Sequence, residues 1–465
     1  MTKTPYIRIV LLALCLCASF ANAQQLKLEV PADVLTASAG SAASVSAASA
    51  GGFNDSGIKN LRRLRGFGAV VEDPELNQWI QNLGQRLANH SRQPNQPFYF
   101  VILKSNDTNA FASQGGLIGV NAGLILRSDN ESELAGVMAH EIAHITQQHV
   151  ERMIAREKRS KMGTAAAVIA GLVVGSQDAQ AGQALLTSGL AIGAHNSLSF
   201  SRVAETEADS EGLRILSSAG FDPAAMTSFL RKLSGGIDPR YAGIGRYLSS
   251  HPLNSARVSA VGQQVQRYAR FSGREGHTYQ YMRERLRVLA SVDSINRNTR
   301  GAVQKYGQLF KQLHEDRRGT MLQKPSHIEE ILLNVSAHNK QGEYQQALSL
   351  LESHRLRSPA NEGILAATVR ALTGLGQHEK AWALMSGADL TERSSLELFE
   401  LRQDVAQRTR RTAQAYYSIA ERNIRQGEYK HALVQIDQAR KLSTLSPADR
   451  QALDKAFRRA RRFRR

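Results

Sequence analysis

The sequence predicts a mostly α-helical chain with a small β-sheet: a mixed globular unit first, then an all-α array of helical repeats. Three observations lead there. Extended patterning is confined to two short stretches, Phe98 to Leu103 and Gly116 to Val120. The stretch Val137-Met138-Ala139-His140-Glu141-Ile142-Ala143-His144 has apolar residues at helical spacing, behind Asn130 and Glu133, which read as an N-cap and its reciprocal partner. Finally, Gly342-Glu343-Tyr344-Gln345-Gln346-Ala347 recurs as Gly376-Gln377-His378-Glu379-Lys380-Ala381, 34 residues on, a period of helix-pair repeats.

Composition narrows the classes. A chain of 465 residues with 42% hydrophobic content has room for two or three domains and for real cores, which excludes a disordered protein. The only cysteines are Cys15 and Cys17, so a disulfide scaffold and a thiolate-held metal or iron–sulfur centre are excluded. Past the N-terminus no apolar run reaches the roughly 18 residues of a spanning helix.

In chain order, residues 1–23 read as a signal peptide: Lys3 and Arg8, an apolar run from Ile9 to Phe20, then Ala21-Asn22-Ala23 as a small-x-small cleavage site. Cleavage there removes both cysteines, which suits an oxidising compartment, the periplasm in a Gram-negative host. Residues 24–53, rich in Ala, Ser and Gly, read as a linker. Residues 54–270 form the mixed unit, which includes two apolar stretches, 163–175 and 182–194, too short to span a bilayer. Residues 271–325 are a helical connector and 326–455 the repeats. A third copy, Gly427-Glu428-Tyr429-Lys430-His431-Ala432, arrives one and a half periods late, so an odd helix intervenes. Pro359 stops the helix that begins after Gly342. Residues 456–465 read as a basic tail. The net charge is +18, and this tail is its densest part; an anionic membrane surface or an acidic partner fits an exported chain better than nucleic acid, which is not an expected partner. With separate units, a cut near residue 300 is expected to leave the first one folded.

The chemistry sits in His140-Glu141-x-x-His144, which matches H-E-x-x-H. On a helix the two histidines share one face, and two neutral imidazoles there can reach one Zn2+ at about 2.0–2.1 Å. Glu141, beside them, can take a proton from bound water and pass it to a leaving amine. A third histidine at position 150 is missing, since Val150 stands there, and His149 is one residue out of register. Glu205, in Ser201-Arg202-Val203-Ala204-Glu205-Thr206-Glu207-Ala208-Asp209, is the better third ligand, and Asp209, one turn on, can accept the outer N–H of a ligating histidine. Glu207 competes with Glu205, but a two-residue offset turns it about 200° around the helix.

These residues resemble the M48 family of zinc metallopeptidases. Asn109-Ala110-Phe111-Ala112, with Gly115-Gly116 and Gly119-Val120, is similar to the family's strand next to the active site, and His149 and Ser201-Arg202 match as well. The repeats resemble the tetratricopeptide family, whose stacked helix pairs present a concave groove. The resemblance implies a gluzincin-type domain with one zinc per chain, held by His140, His144 and Glu205, with Glu141 catalytic and Asp209 supporting a ligand. It also implies that His251, in Ser250-His251-Pro252-Leu253-Asn254-Ser255-Ala256-Arg257, lies over the metal, stabilising an oxyanion or occluding the water site, with Arg257 behind it. The implied function is a periplasmic metalloendopeptidase of envelope quality control. It would act on unfolded or misassembled outer-membrane β-barrel proteins alongside their assembly machinery. A chaperone or scaffold with slight or gated peptidase activity is the alternative; a cell-wall peptide hydrolase is a third reading. A substrate strand would pair with a sheet edge, for which Gly116 to Val120 is the candidate.

Overall fold

The structure, a computed structural model, describes residues 50–153, 155, 201–234, 245–268, 271, 273, 276–290, 300–443 and 445–464. The signal peptide, almost all of the linker and both apolar stretches lie outside the described residues; Ala50 to Phe53, at the linker's end, already belong to the first helix.

The first unit runs α1 (Ala50–Gly66), α2 (Pro74–Ala88), β1 (Tyr99–Leu103), β2 (Ala110–Ser113), β3 (Leu117–Asn121), α3 (Ala122–Arg127), α4 (Glu131–Thr146), α5 (Arg202–Ser218), α6 (Ala224–Ser234), α7 (Gly245–Ser250) and α8 (Ser255–Val265). The sheet order is β1-β3-β2, with β1 parallel and β2 antiparallel to β3. The stretch expected to form the edge is therefore the central strand, and the edges are β1, bridged at Leu103 by Val70, and β2. The reason lies in the turn: Gly115 and Gly116 both have positive φ, and a Cβ on Gly116 would meet the Pro97 carbonyl oxygen at 2.1 Å. The chain can thus fold β2 back against β3 on one side while β1 takes the other.

All five residues of β1 are buried, because both faces of the sheet are covered. Phe100 and Ile102 enter the main core with α2, α3 and α4, whereas Tyr99, Val101 and Leu103 pack with Leu61 and Leu64 of α1. That is the two-residue alternation of a strand, divided between two apolar layers.

The helices that follow are α9 (His277–Leu289), α10 (Gly301–His314), α11 (Ile328–Gln341), α12 (Tyr344–Arg357), α13 (Glu362–Gly374), α14 (His378–Gly387), α15 (Leu396–Arg408), α16 (Thr412–Arg425), α17 (Tyr429–Arg440) and α18 (Pro447–Arg464). One device ends the leading helix of each repeat. Gly342, Gly376 and Gly427 have φ of 79°, 74° and 73°, and the next residue's N–H bonds back to His338, Leu372 and Asn423 at 2.8–2.9 Å. Ala347, Ala381 and Ala432 are then fully buried where the paired helices meet. α15 is the odd helix before the third copy. The expected basic tail is instead the end of α18, held by buried Leu453, Ala456 and Ala460 and by Arg459 on Glu421.

The two units share a core. Tyr279, Tyr281, Met282 and Leu286 of α9, Leu309 of α10, and Leu333 and Ala337 of α11 belong to the same apolar cluster as Ile80 and Met138. Polar ties reinforce the seam. Arg65 donates to the carbonyls of Glu392 and Ser394 at 3.0 and 2.9 Å, and Asn77 donates to that of Arg393 at 2.7 Å. The connector is thus part of the first unit's core, and a cut near residue 300 would open it, contrary to the expectation of separate folding.

Arg285 is another buried charge at this seam. It bridges Asp73 at 2.9 Å and Glu75 at 2.8 Å and approaches the Tyr306 hydroxyl at 3.3 Å. Burial pushes the Glu75 carboxyl up to about 7, against the pull of Arg285. Replacing Arg285 by methionine strands the Asp73 and Glu75 carboxylates, a loss expected to reach about 3–5 kcal/mol. Urea unfolding at pH 8 measures it; an unchanged midpoint would show that the seam does not depend on this ion pair.

Candidate metal centre

The site lies between α4 and α5. Asn130 caps α4 by accepting from Glu133 N–H at 2.9 Å, and the Glu133 side chain accepts from Asp129 N–H at 2.7 Å, one residue before the expected reciprocal partner. Helix geometry then sets His140 and His144 one turn apart on the face turned to α5. Gly212 is what lets α5 come close: a Cβ there would sit 3.2 Å from His140 Cα and N. That approach delivers Glu205 and Asp209, again one turn apart.

His140, Glu141, His144, Glu205, Asp209 and His251 are all at most 2% exposed. His140, His144, Glu205 and His251 each offer a ligand atom within 4.8 Å of the others. The two Nε2 atoms of His140 and His144 are 2.9 Å apart, and they lie 3.6 and 3.5 Å from the Glu205 carboxylate. His251 Nδ1 is 3.3 Å from His140 Nε2 and 3.0 Å from Glu205 Oε1. A tetrahedral ion with bonds of about 2.0–2.1 Å separates its ligands by about 3.3 Å, so the donor atoms fit one small cation. A buried carboxylate and two imidazole nitrogens this close are costly unless they are paired or share a cation.

Around this cluster, Asp209 Oδ1 lies 3.0 Å from His140 Nδ1. Arg257, from the first turn of α8, donates to both Asp209 oxygens at 2.6 and 2.8 Å and pairs with Glu205 Oε2 at 2.5 Å. It therefore supports the two acids of α5 and not His251, the partner the resemblance implied. His251 is held by its own N–H on the Tyr247 carbonyl at 2.8 Å and by stacking on the Tyr247 ring, centroids 4.7 Å apart. Glu141 is fully buried, and neither of its carboxylate oxygens accepts a hydrogen bond among the described residues; His251 Nε2 lies 3.4 Å from Oε1.

The electrostatics follow from burial and neighbours. Burial alone would raise the Glu205 carboxyl, but hydrogen bonds from His140 and His251 hold it well below the usual carboxylate range. Asp209 is likewise lowered, against burial, by Arg257 and His140. Burial disfavours a charged His140, yet Asp209 and Glu205 raise it to about 9. Burial and the neighbouring His140 and His251 push His144 well below the ordinary histidine range. Without an ion, a proton on His140 thus joins Arg257 as positive charge at the site.

Glu207 faces away from the cluster. It meets His149 Nε2 at 3.0 Å and pairs with Arg152, while His149 Nδ1 lies 2.8 Å from His144 Nδ1. The sequence showed His149 only as one residue out of ligand register and did not reveal these partners, since the turn that carries it inward leaves no sequence pattern.

Residues 74–265 match Peptidase family M48. Curated relatives agree. The Beta-barrel assembly-enhancing protease of Escherichia coli (strain K12) is 39% identical over 200 residues, 43% of this chain and 41% of that protein. The same-named protein of Yersinia pestis is 32% identical over 261 residues, 53% of each chain. Metalloprotease LoiP of Escherichia coli (strain K12) is 29% identical over 171 residues, 36% of this chain and 62% of LoiP. The chain therefore spans about half or less of the assembly-enhancing proteases it matches.

Two predictions test the ligand set. Glu205→Gln should lower bound metal, by elemental analysis, far below one ion per chain, while Glu207→Gln should leave it near one; equal losses would remove the assignment. Protons also compete for His140. Its folded pKa lies above the unfolded value of about 6.5, so its stabilisation of the metal-free fold is complete below pH 6.5 and is lost as pH rises through 9. Metal affinity, by chelator competition, should accordingly climb from pH 6.5 to 9, and a flat profile would contradict a protonated resting His140.

Proposed function

We propose that the protein is a zinc metalloendopeptidase of the periplasm, acting in envelope protein quality control on unfolded or misassembled outer-membrane proteins. One observation carries the chemistry: a fully buried Glu141, without hydrogen-bond partners among the described residues, beside a cluster of three histidines and a glutamate. A carboxylate left that way is costly unless its partner is a reactant. When bound, zinc lowers the pKa of its water and polarises the scissile carbonyl. The chain's residues do the rest. Asp209 is placed to accept the Nδ1–H of His140, which leaves the Nε2 lone pair for the ion. Glu141 removes a proton from the attacking water and delivers it to the leaving amine. The edge strand β2 offers its outer side to an extended peptide, which selects unfolded segments over folded ones. The names of the relatives and the leader read at residues 1–23 support the periplasmic assignment; the helical array supports a role in holding clients and assembly partners.

His251 favours a gated form of this activity. With Nδ1 among the ligand atoms, it fills the position that water would need, so the resting site is closed and hydrolysis requires its withdrawal. A chaperone or scaffold role with slight peptidase activity is the second reading that this placement supports.

Glu141→Gln should keep the metal and the fold and lower hydrolysis of an unfolded outer-membrane protein by about 10²–10⁴. Undiminished cleavage would reject Glu141 as the base, and full support of envelope integrity by this variant would make scaffolding the main role. His251→Ala should raise hydrolysis of the same substrate; a fall would mean that the histidine serves the reaction and does not close the site.

A further inference from the structure

His149 is 2% exposed and lies where a continuous helix would not bring it to His144. Five residues along a helix turn a side chain about 140° away from its start. The chain breaks at Gln148, whose φ is 57°, and turns helical again at residue 149. A left-handed conformation at a residue other than glycine costs roughly 1–2 kcal/mol, and such strain persists only where the surroundings hold it. Here it swings the His149 ring back until Nδ1 is 2.8 Å from His144 Nδ1 and Nε2 is 3.0 Å from Glu207 Oε2.

The donor order in this row has one solution with neutral rings. Glu207 is acceptor-only while ionised, and Arg152, paired with it at the surface, keeps it so. His149 must then donate from Nε2, and its Nδ1 carries a lone pair. Two lone pairs cannot meet at 2.8 Å, so His144 must donate from Nδ1. The lone pair of His144 is thereby fixed on Nε2, the atom that faces the cluster.

We propose that Gln148, His149 and Glu207 form a positioning relay that sets the tautomer and ring angle of His144. This rests on the reading of His144 as a metal donor, and it extends support to the second imidazole as Asp209 supports the first. His149 and Glu207 are positioning residues; neither touches the ion or the substrate. The strained turn at Gln148 is what a histidine five residues from His144 needs in order to serve.

Two measurements on the full chain test the relay. In the metal-free wild type labelled with ¹⁵N-histidine, two-bond ¹⁵N–¹H couplings should show His149 as the Nε2–H tautomer, with its signals assigned by their loss in His149→Gln. An Nδ1–H or doubly protonated ring would overturn the relay whether or not zinc binds. In zinc competition with a fluorescent chelator, His149→Ala and Glu207→Ala should weaken binding by about 10–100-fold, while Glu207→Gln, whose amide oxygen still accepts, should retain most of it. Unchanged affinity in both alanine variants would overturn the relay, whereas failure of the wild type to take up zinc would overturn the metal reading beneath it. The tautomer result stands even if an alanine variant fails to fold.

Discussion

Gly212 rests against the backbone of His140, and the site depends on that contact between α4 and α5. Any side chain there would crowd the helix that carries both histidines. At this distance Glu205 and Asp209 reach the inner and outer nitrogens of the His140 ring from one turn of α5. The arrangement places six ionisable side chains, His140, Glu141, His144, Glu205, Asp209 and His251, in nearly complete burial. That is stable only if charge is matched group by group. Arg257 matches part of it by spanning both acids. A cation among the ligand atoms matches the rest, whether an ion or a proton on His140.

The same logic of buried charge recurs at the seam. Arg285 lies under Asp73 and Glu75 at the start of α2, and α2 also packs beside the sheet and offers Asn77 to the loop before α15. Since α9, α10 and α11 add apolar side chains to the core that holds α4, the helical array is built onto the first unit and does not hang from it. The seam is continuous packing reinforced by ion pairs, with no linker between the units.

What the sequence revealed and what it hid differ by the range of the interactions. His140, Glu141 and His144 could be read because their chemistry depends on helical spacing alone. The repeats could be read because the same glycine turn and the same buried alanine return with a fixed period. Glu205 was preferred to Glu207 by rotation around a helix, and the structure puts them on opposite sides of α5, one at the cluster and one on His149. Sheet order was not legible: the identity of the edge strand depends on which side of β3 each neighbour takes, and hydrophobic pattern does not encode that. The division of the core near residue 270 was misjudged for a related reason. A helical pattern reports one buried face but not which unit buries it. The basic end of the chain looked like a tail because its charges dominate, while the alanines that seat α18 contribute little to any pattern.

The position of His251 has a consequence for how such a site is kept safe. A peptidase with an open ion and a buried base would cleave any extended chain that reached β2. Here the fourth donor is supplied by a residue outside both site helices, between α7 and α8, stacked on Tyr247. His140, His144 and Glu205 stand on the packed helices α4 and α5, whereas His251 stands on the short segment between α7 and α8, and that difference in placement is what a removable ligand requires.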